Sequence, residues 1–380
     1  MRLAVITTHP IQYYAPMFKL LAQKIELKVF YTSGKIPAGK YDPGFGKTIS
    51  WDINLLDGYD YQWINNTASN PGSHHFNGII NPDLIGQLKN WAPDTLLVYG
   101  WAYKSHLSVL RYFKNKIPIL FRGDSTLLDE KPGIKNLLRY IYLKWVFKHV
   151  DYALYAGSNN KKYFKKYGLR EDKLVFLPHA VDNERFETPV PDKVQHLKNQ
   201  LNIHPDDILV LFAGKFEQKK APVLLLKCFM SLSVSDVHLL FVGNGVLEDT
   251  LKQEASAAKN IHFIGFQNQT HMPAIYQACD IFCLPSTGPG ETWGLAVNEA
   301  MACGKVILVS DKVGCAADLV TAANGAIHRA DSFTDLCDKL NLLISKKKKG
   351  LHAMGVNSKN GIKNWDFKTQ VAHIIHYKNG

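Results

Sequence analysis

The sequence predicts an α/β chain of two doubly wound domains, and three observations carry that prediction. Short apolar runs of strand length alternate with amphipathic segments from end to end. The alternation restarts once, after a polar, proline-containing stretch at 189–198. The chain has 380 residues, enough for two ordinary domains, and 46% of them are hydrophobic, enough for two cores.

In the first half, LAVIT near residue 3, LKVFYT near 27, TLLVYG near 95, IPILFRG near 117 and DYALYAG near 151 read as buried parallel strands. Amphipathic segments at 15–22, 106–114 and 134–150 lie between several of them. In the second half, ILVLFAG, VHLLFVG, IHFIGF, DIFCLPS and KVILVS repeat the strand signal, with helical segments at 222–233, 247–258, 272–278 and 293–303. Parallel strands need crossovers, so each half is expected to be a sheet with helices on both faces. The expected division is 1–187 for the first domain, joined by a C-terminal helix at 364–380 that crosses back to it, and 188–363 for the second. A ligand cleft is expected where the carboxyl ends of the two sets of strands face each other. The stretch at 189–198 reads as a linker, and the four-lysine run at 346–349 as a solvated turn.

The formal net charge is +12 and the pI about 9.2. A basic balance suits an anionic partner: nucleic acid, a phosphorylated small molecule or the anionic face of a membrane. All six cysteines fall in the second half and none forms a CxxC pair. Cys279 and Cys283 flank an apolar run with no histidine beside them, so buried reduced thiols in a reducing cytosol are expected rather than a metal site. MRLAVITTHP does not read as a signal peptide, and no apolar run approaches the roughly 20 residues of a membrane span. The expected location is cytoplasmic, which leaves the sequons at Asn65 and Asn268 without consequence. His74-His75 lacks the spaced third ligand of a metal site and reads as structural or surface.

The most informative stretch is GPGETWGLAVNEAMACG, residues 288–304. Gly288 and Gly290 permit unusual dihedrals and a close approach of backbone to a ligand. Thr292 or Glu291 is placed to cap a helix starting near Trp293, and such an N-terminus attracts a phosphate. Glu299, inside the helix, suits the vicinal hydroxyls of a ribose, and Glu291 lies on the other side of the phosphate. The plain alternative is an ordinary helix start with surface acids. A second constellation, ILVLFAGKFEQKKAP, places Gly214 and Lys215 at a strand's carboxyl end and Lys219 and Lys220 before the next helix. Lys215 and Lys220 suit a diphosphate, against the alternative of a solvated basic loop. Gly243, Gly245 and Gly314 also follow strands.

Taken together these motifs resemble the retaining glycosyltransferases of the GT-B fold, and family 4 among them. The resemblance covers nearly the whole chain. It rests on the E-x7-E spacing of Glu291 and Glu299, on Gly214, Lys215 and Lys220 in a G-[KR]-x4-K pattern, and on IHFIGFQNQTHMPAIYQACDIFCLPS. It implies that Glu299 holds the donor ribose and Glu291 the transferred sugar. Lys215 and Lys220 would neutralise the diphosphate with backbone N–H groups of Thr292, Trp293, Gly294 and Leu295. The main chain at Gly265, Phe266 and Gln267 would receive the base. It further implies no metal and no cofactor, and the chain has no D-x-D motif.

The first domain departs from the commonest pattern. Where many relatives carry a Gly-Gly loop, this chain has THPIQYYAP, residues 8–16. That stretch, with FGKTISWDINLLDGY downstream, resembles a subgroup acting on bacterial surface polysaccharides. His9, with Gln12, either contacts phosphate or acceptor or caps the following helix. In FRGDS, Arg122 and Asp124 either face the transferred sugar or form a loop ion pair. Lysines interleave with aromatics across 135–169, which suits an anionic lipid surface or, equally, a helix with an apolar core side and a solvated basic side. No recognised nucleic-acid module accompanies them. The expected activity is transfer of a sugar from a UDP- or GDP-sugar to a glycan or lipid-linked acceptor, with peripheral contact to an anionic membrane. The alternatives are a sugar-nucleotide 2-epimerase of the same fold and a non-catalytic sugar-nucleotide-binding subunit.

Overall fold

The computed structural model describes residues 1–35, 40–42, 44–232 and 234–377. Its strands in chain order are β1 (Arg2–Thr7), β2 (Glu26–Tyr31), β3 (Lys40–Asp42), β4 (Lys47–Ile49), β5 (Asp60–Trp63), β6 (Thr95–Tyr99), β7 (Ile119–Arg122), β8 (Tyr152–Tyr155) and β9 (Leu174–Phe176). They continue with β10 (Ile208–Ala213), β11 (Val237–Val242), β12 (Ile261–Ile264), β13 (Ile281–Leu284), β14 (Val306–Ser310) and β15 (Gly325–His328). Two compact units result. The first comprises 1–39, 54–179 and 367–380, the second 40–53 and 180–366.

The first unit holds a parallel sheet of order β5-β2-β1-β6-β7-β8-β9. Its central strands β1, β6 and β7 are buried on both faces, as their largely apolar runs require. The helices Leu84–Trp91, Lys104–Phe113 and Ile134–Phe147 close one core around Ile6, Val98, Phe121 and Phe164. The final helix, Phe367–Ile375, belongs to this unit. Gln370 Nε2 donates to the Pro178 carbonyl at 2.6 Å, and Tyr377 stacks edge-on against Tyr152 at 5.1 Å.

The second unit holds a parallel sheet of order β12-β11-β10-β13-β14-β15, with a core around Phe212, Leu239 and Leu308. Three expectations change here. The stretch read as a linker contains the helix Pro191–Gln200, with proline in its first turn, where the missing N–H costs nothing. The lysine run opens the helix Lys347–Ile362, and Lys348 Nζ lies 2.7 Å from Asp280. Cys228 and Cys337 are disulfide-paired between helices Pro222–Ser231 and Phe333–Ile344. They stand 109 residues apart in sequence, so spacing could not reveal the pairing. The other four cysteines are free and buried, as expected.

The sheet orders locate the crevices. In the first sheet the order reverses between β1 and β6, and in the second between β10 and β13. Ligands bind outside the carboxyl ends of strands at such a reversal. The segments that follow those strands are therefore where chemistry is expected: THPIQYYAP in the first unit, GKFEQKK and PSTGPGETWG in the second.

Candidate functional site

In the second unit, β10 ends in Gly214, φ 157°, and Lys215 follows. Gly243 must be glycine, because a Cβ there would lie 2.0 Å from the Gly214 carbonyl oxygen. Lys220 closes a short 3-10 turn, Gln218–Lys220, and forms an ion pair with Glu291. Ser286 Oγ, just past β13, donates to the same Glu291 oxygen at 3.0 Å. Lys220 and Glu291 are thus brought together, although 71 residues separate them.

The helix after the glycine loop runs Leu295–Ala302, with Gly294 at its N-cap in the left-handed region, φ 96°. Neither Glu291 nor Thr292 caps it, which corrects the start expected near Trp293. Gly294 is the residue that admits this turn without a Cβ penalty. Trp293 is buried, its indole Nε1 donating to Asn298 at 2.8 Å and its ring stacked 5.1 Å from Trp365. The loop after β14 packs tightly underneath. The Gly314 N–H donates to the Glu291 carbonyl at 2.9 Å, and a Cβ on Gly314 would lie 1.8 Å from the Thr292 carbonyl oxygen. Gly290 has open space where its Cβ would stand. Glu299 is 4% exposed and accepts from the Tyr276 hydroxyl at 2.8 Å. The helix start thus presents its first-turn N–H groups with Glu291 and Glu299 close in sequence and with Lys220 brought to Glu291 by the fold.

At β12's carboxyl end, the Phe266 N–H donates to Asn244 Oδ1 at 2.8 Å, and Asn244 Nδ2 in turn donates to Glu248. Asn244 was not singled out in the sequence, nor was the segment 40–53, which belongs to this unit. Phe45 packs edge-on to Phe266 at 4.9 Å, Trp51 lies 6.5 Å from the same ring, and Lys215 Nζ lies 5.0 Å from the Phe45 ring centroid. Asn268 donates to the Ser50 carbonyl at 2.7 Å, and Asp52 accepts from the Thr270 N–H at 3.1 Å. FGKTISWDINLLDGY was quoted only as a family resemblance. Nothing in its spacing announces these partners.

In the first unit, Arg122 is 2% exposed at the end of β7. Its Nε donates to Asp124 Oδ1 at 3.1 Å, and its Nη1 donates to the Leu154 carbonyl at 3.3 Å. His179 Nε2 lies 3.1 Å from the same Asp124 oxygen, and the Tyr14 hydroxyl donates to the other at 3.3 Å. Burial by itself would raise the Asp124 pKa. The charges of His179 and Arg122 outweigh it and hold the carboxyl well below its usual range. Burial also lowers the His179 pKa, against the pull of Asp124. Asp124 is therefore an ionised, charge-compensated acceptor. His179 was missed in the sequence; its position shortly after β9 is the signal that would have found it. His9 Nδ1 lies 2.9 Å from the Thr8 hydroxyl. It does not cap the next helix, Ala15–Ala22, whose N-cap position is Tyr14.

Among the described residues, no group of three or more His, Cys, Asp or Glu side chains is arranged to hold a metal ion. No helix among them is long and apolar enough to cross a membrane.

Residues 193–361, almost all of the second unit, match the family described as Glycosyl transferases group 1. The chain is 26% identical over 271 residues to the N,N'-diacetylbacillosaminyl-diphospho-undecaprenol alpha-1,3-N-acetylgalactosaminyltransferase of Campylobacter jejuni, covering 69% of this chain and 70% of that protein. It is 31% identical over 141 residues to a phosphatidyl-myo-inositol mannosyltransferase of Mycobacterium tuberculosis, covering 36% and 35%. Among solved structures, Anabaena Alr3699/HepE in complex with UDP superposes over 100% of both chains, with a TM-score of 0.75 at 16% identity. That last likeness speaks for the fold.

Proposed function

We propose that the chain, whose second unit matches the group 1 glycosyltransferases and whose fold matches that of a UDP-bound structure, is itself such a transferase and moves a sugar, with retention, from a UDP- or GDP-sugar to a hydroxyl of a glycan or lipid-linked glycan. The observation that carries this reading is the cluster at the β10/β13 reversal. There Lys220 and Ser286 hold Glu291 beside the glycine-capped start of the 295–302 helix, and a buried Glu299 follows one turn on. The diphosphate lies over the helix N-terminus, with Lys215 and Lys220 as its counter-charges. Glu299 binds the ribose hydroxyls. Glu291 positions the transferred sugar and acts by orientation and charge rather than as a covalent nucleophile. As the glycosidic bond breaks, negative charge grows on the leaving phosphate, and fixed lysines and N–H groups stabilise that charge more than they stabilise the ground state. The departing phosphate takes the acceptor proton.

In the first unit, the ionised Asp124, held by Arg122, His179 and Tyr14, receives hydroxyls of the sugar or acceptor, and His9 follows β1, two strands away in the same sheet. No metal or cofactor is required in this scheme, because the lysines supply the positive charge. The work is done at the cytoplasmic face of a membrane, in surface polysaccharide synthesis. The likeness to enzymes named for polyprenyl- and inositol-lipid acceptors supports a lipid-linked acceptor.

The test is release of UDP or GDP from a panel of nucleotide sugars, with EDTA present. Slow hydrolysis by the wild type and a fall of about a hundredfold or more in Lys220→Ala is the expected result. An isomerised but intact sugar nucleotide would instead show a 2-epimerase, and binding without any turnover a non-catalytic subunit.

A further inference from the structure

The helix Ile134–Phe147 is apolar on two opposite faces. Its inner face, with Leu143, Val146 and Phe147, is buried in the core of the first unit. Its outer face carries Ile134, Leu137, Leu138 and Ile141, which are 80%, 60%, 63% and 60% exposed, with Trp145 at 37%. At 100° per residue these five side chains occupy an arc of roughly 100°. A folded protein rarely leaves such a contiguous stripe to water.

The surroundings of the stripe say what covers it. Lys135 lies to one side of it and Lys144 to the other, with Lys148 just beyond the helix end and Lys131 just before it; residues 131–150 contain no Asp or Glu. Trp101, Tyr142 and Trp145 form a ring contact chain at 5.5 and 5.7 Å, and the Arg111 guanidinium lies 5.5 Å over Trp145. An apolar stripe bordered by cations and aromatic rings matches the layers of a lipid interface: acyl chains, then aromatic-friendly ester groups, then phosphates. A second copy of the chain fits poorly, because a twofold contact would set this single-sign border against itself.

We propose that the outer stripe of the 134–147 helix inserts into an anionic bilayer, with Lys135, Lys144 and Lys148 at headgroup phosphates. The inference deepens the proposed function and rests on its lipid-linked acceptor. The crossover from β7 places the helix start at the carboxyl end of the first sheet. Arg122 and Asp124 lie at that same end, so the bilayer surface meets the unit where an acceptor hydroxyl is received.

The test is co-sedimentation of the full chain with vesicles of phosphatidylcholine alone or with about 30% phosphatidylglycerol. The variant is Leu137→Asn/Leu138→Asn/Ile141→Asn, whose exposed positions leave the core intact; an unchanged melting temperature checks this. Wild type is expected to bind the phosphatidylglycerol vesicles, less so at high salt, and the variant to lose about tenfold or more in partitioning. Both should hydrolyse the nucleotide sugar equally. Absence of wild-type binding at low salt, or equal binding by the variant, overturns the proposal. So does a wild-type dimer in light scattering that the variant abolishes, which would hand the stripe to a second copy. Lost hydrolysis with intact vesicle binding would sink the transferase reading and leave this one standing.

Discussion

At the scale of single residues, Glu299 carries the sharpest expectation. It is buried, and it accepts a hydrogen bond from the Tyr276 hydroxyl. If it binds a ribose, Glu299→Ala removes charge-assisted hydrogen bonds that are shielded from water. The loss in nucleotide affinity should be roughly 2–4 kcal/mol, measured by calorimetry with UDP and GDP. Wild-type affinity in that variant would end the ribose assignment. The spacing of Glu291 and Glu299 was legible because both sit in one short loop-and-helix segment. Their partners were not. Lys220 reaches Glu291 across 71 residues and Tyr276 reaches Glu299 across 23, and sequence spacing carries no signal at those separations. The same limit hid His179, which meets Asp124 only because the segments after β7 and β9 leave the same carboxyl end of one sheet.

At the scale of elements, the glycine loop depends on its neighbour. Gly314 lies so close to the Thr292 carbonyl that any side chain must push the two loops apart. Gly314→Ala is therefore expected to destabilise by about 1–3 kcal/mol, as overpacking does, and to weaken nucleotide binding in the same variant. Urea denaturation with and without UDP measures both, and a stable variant with normal affinity would show that the loops are not rigidly coupled. The strands were legible from their apolar runs, since a strand buried on both faces has to be apolar throughout. The helices were less so. The stretch at 189–198 looked like a linker because it is polar and holds two prolines, yet Pro191 occupies the first turn of a helix, where proline is at home. The lysine run looked like a turn because charge clusters face water, and three of its four lysines do so from the start of a helix.

At the scale of the whole molecule, buried histidines tie stability to pH. His106 is fully buried between the Thr32 hydroxyl and the Tyr99 carbonyl, each at 2.8 Å. Burial lowers its pKa from 6.5 to about 4. Between those values the unfolded chain takes up a proton that the folded chain refuses. Stability therefore falls as pH drops from about 6.5 towards 4, by roughly 3 kcal/mol from this residue, and is fully present above that window. His262 is lowered in the same direction by burial and by the charge of His238, which lies 2.9 Å away. Unfolding midpoints at pH 7.5 and pH 5 test this, and His106→Asn should flatten the dependence. A midpoint independent of pH across that range would remove the argument.

What the sequence by itself determined is local and periodic: the two runs of parallel strands, their ends, the permissive glycines and the two glutamates on one helix start. Periodicity reports burial within an element, and short spacing reports geometry within a turn or two, so these survive without coordinates. The tertiary structure alone decided which of these groups meet. It paired Lys220 with Glu291, set Arg122, Asp124 and His179 in one cluster, and placed residues 40–53 with the second unit. It also decided which side of the 134–147 helix faces out. That helix is apolar on both sides, and a two-faced pattern names no inside until the core has chosen one.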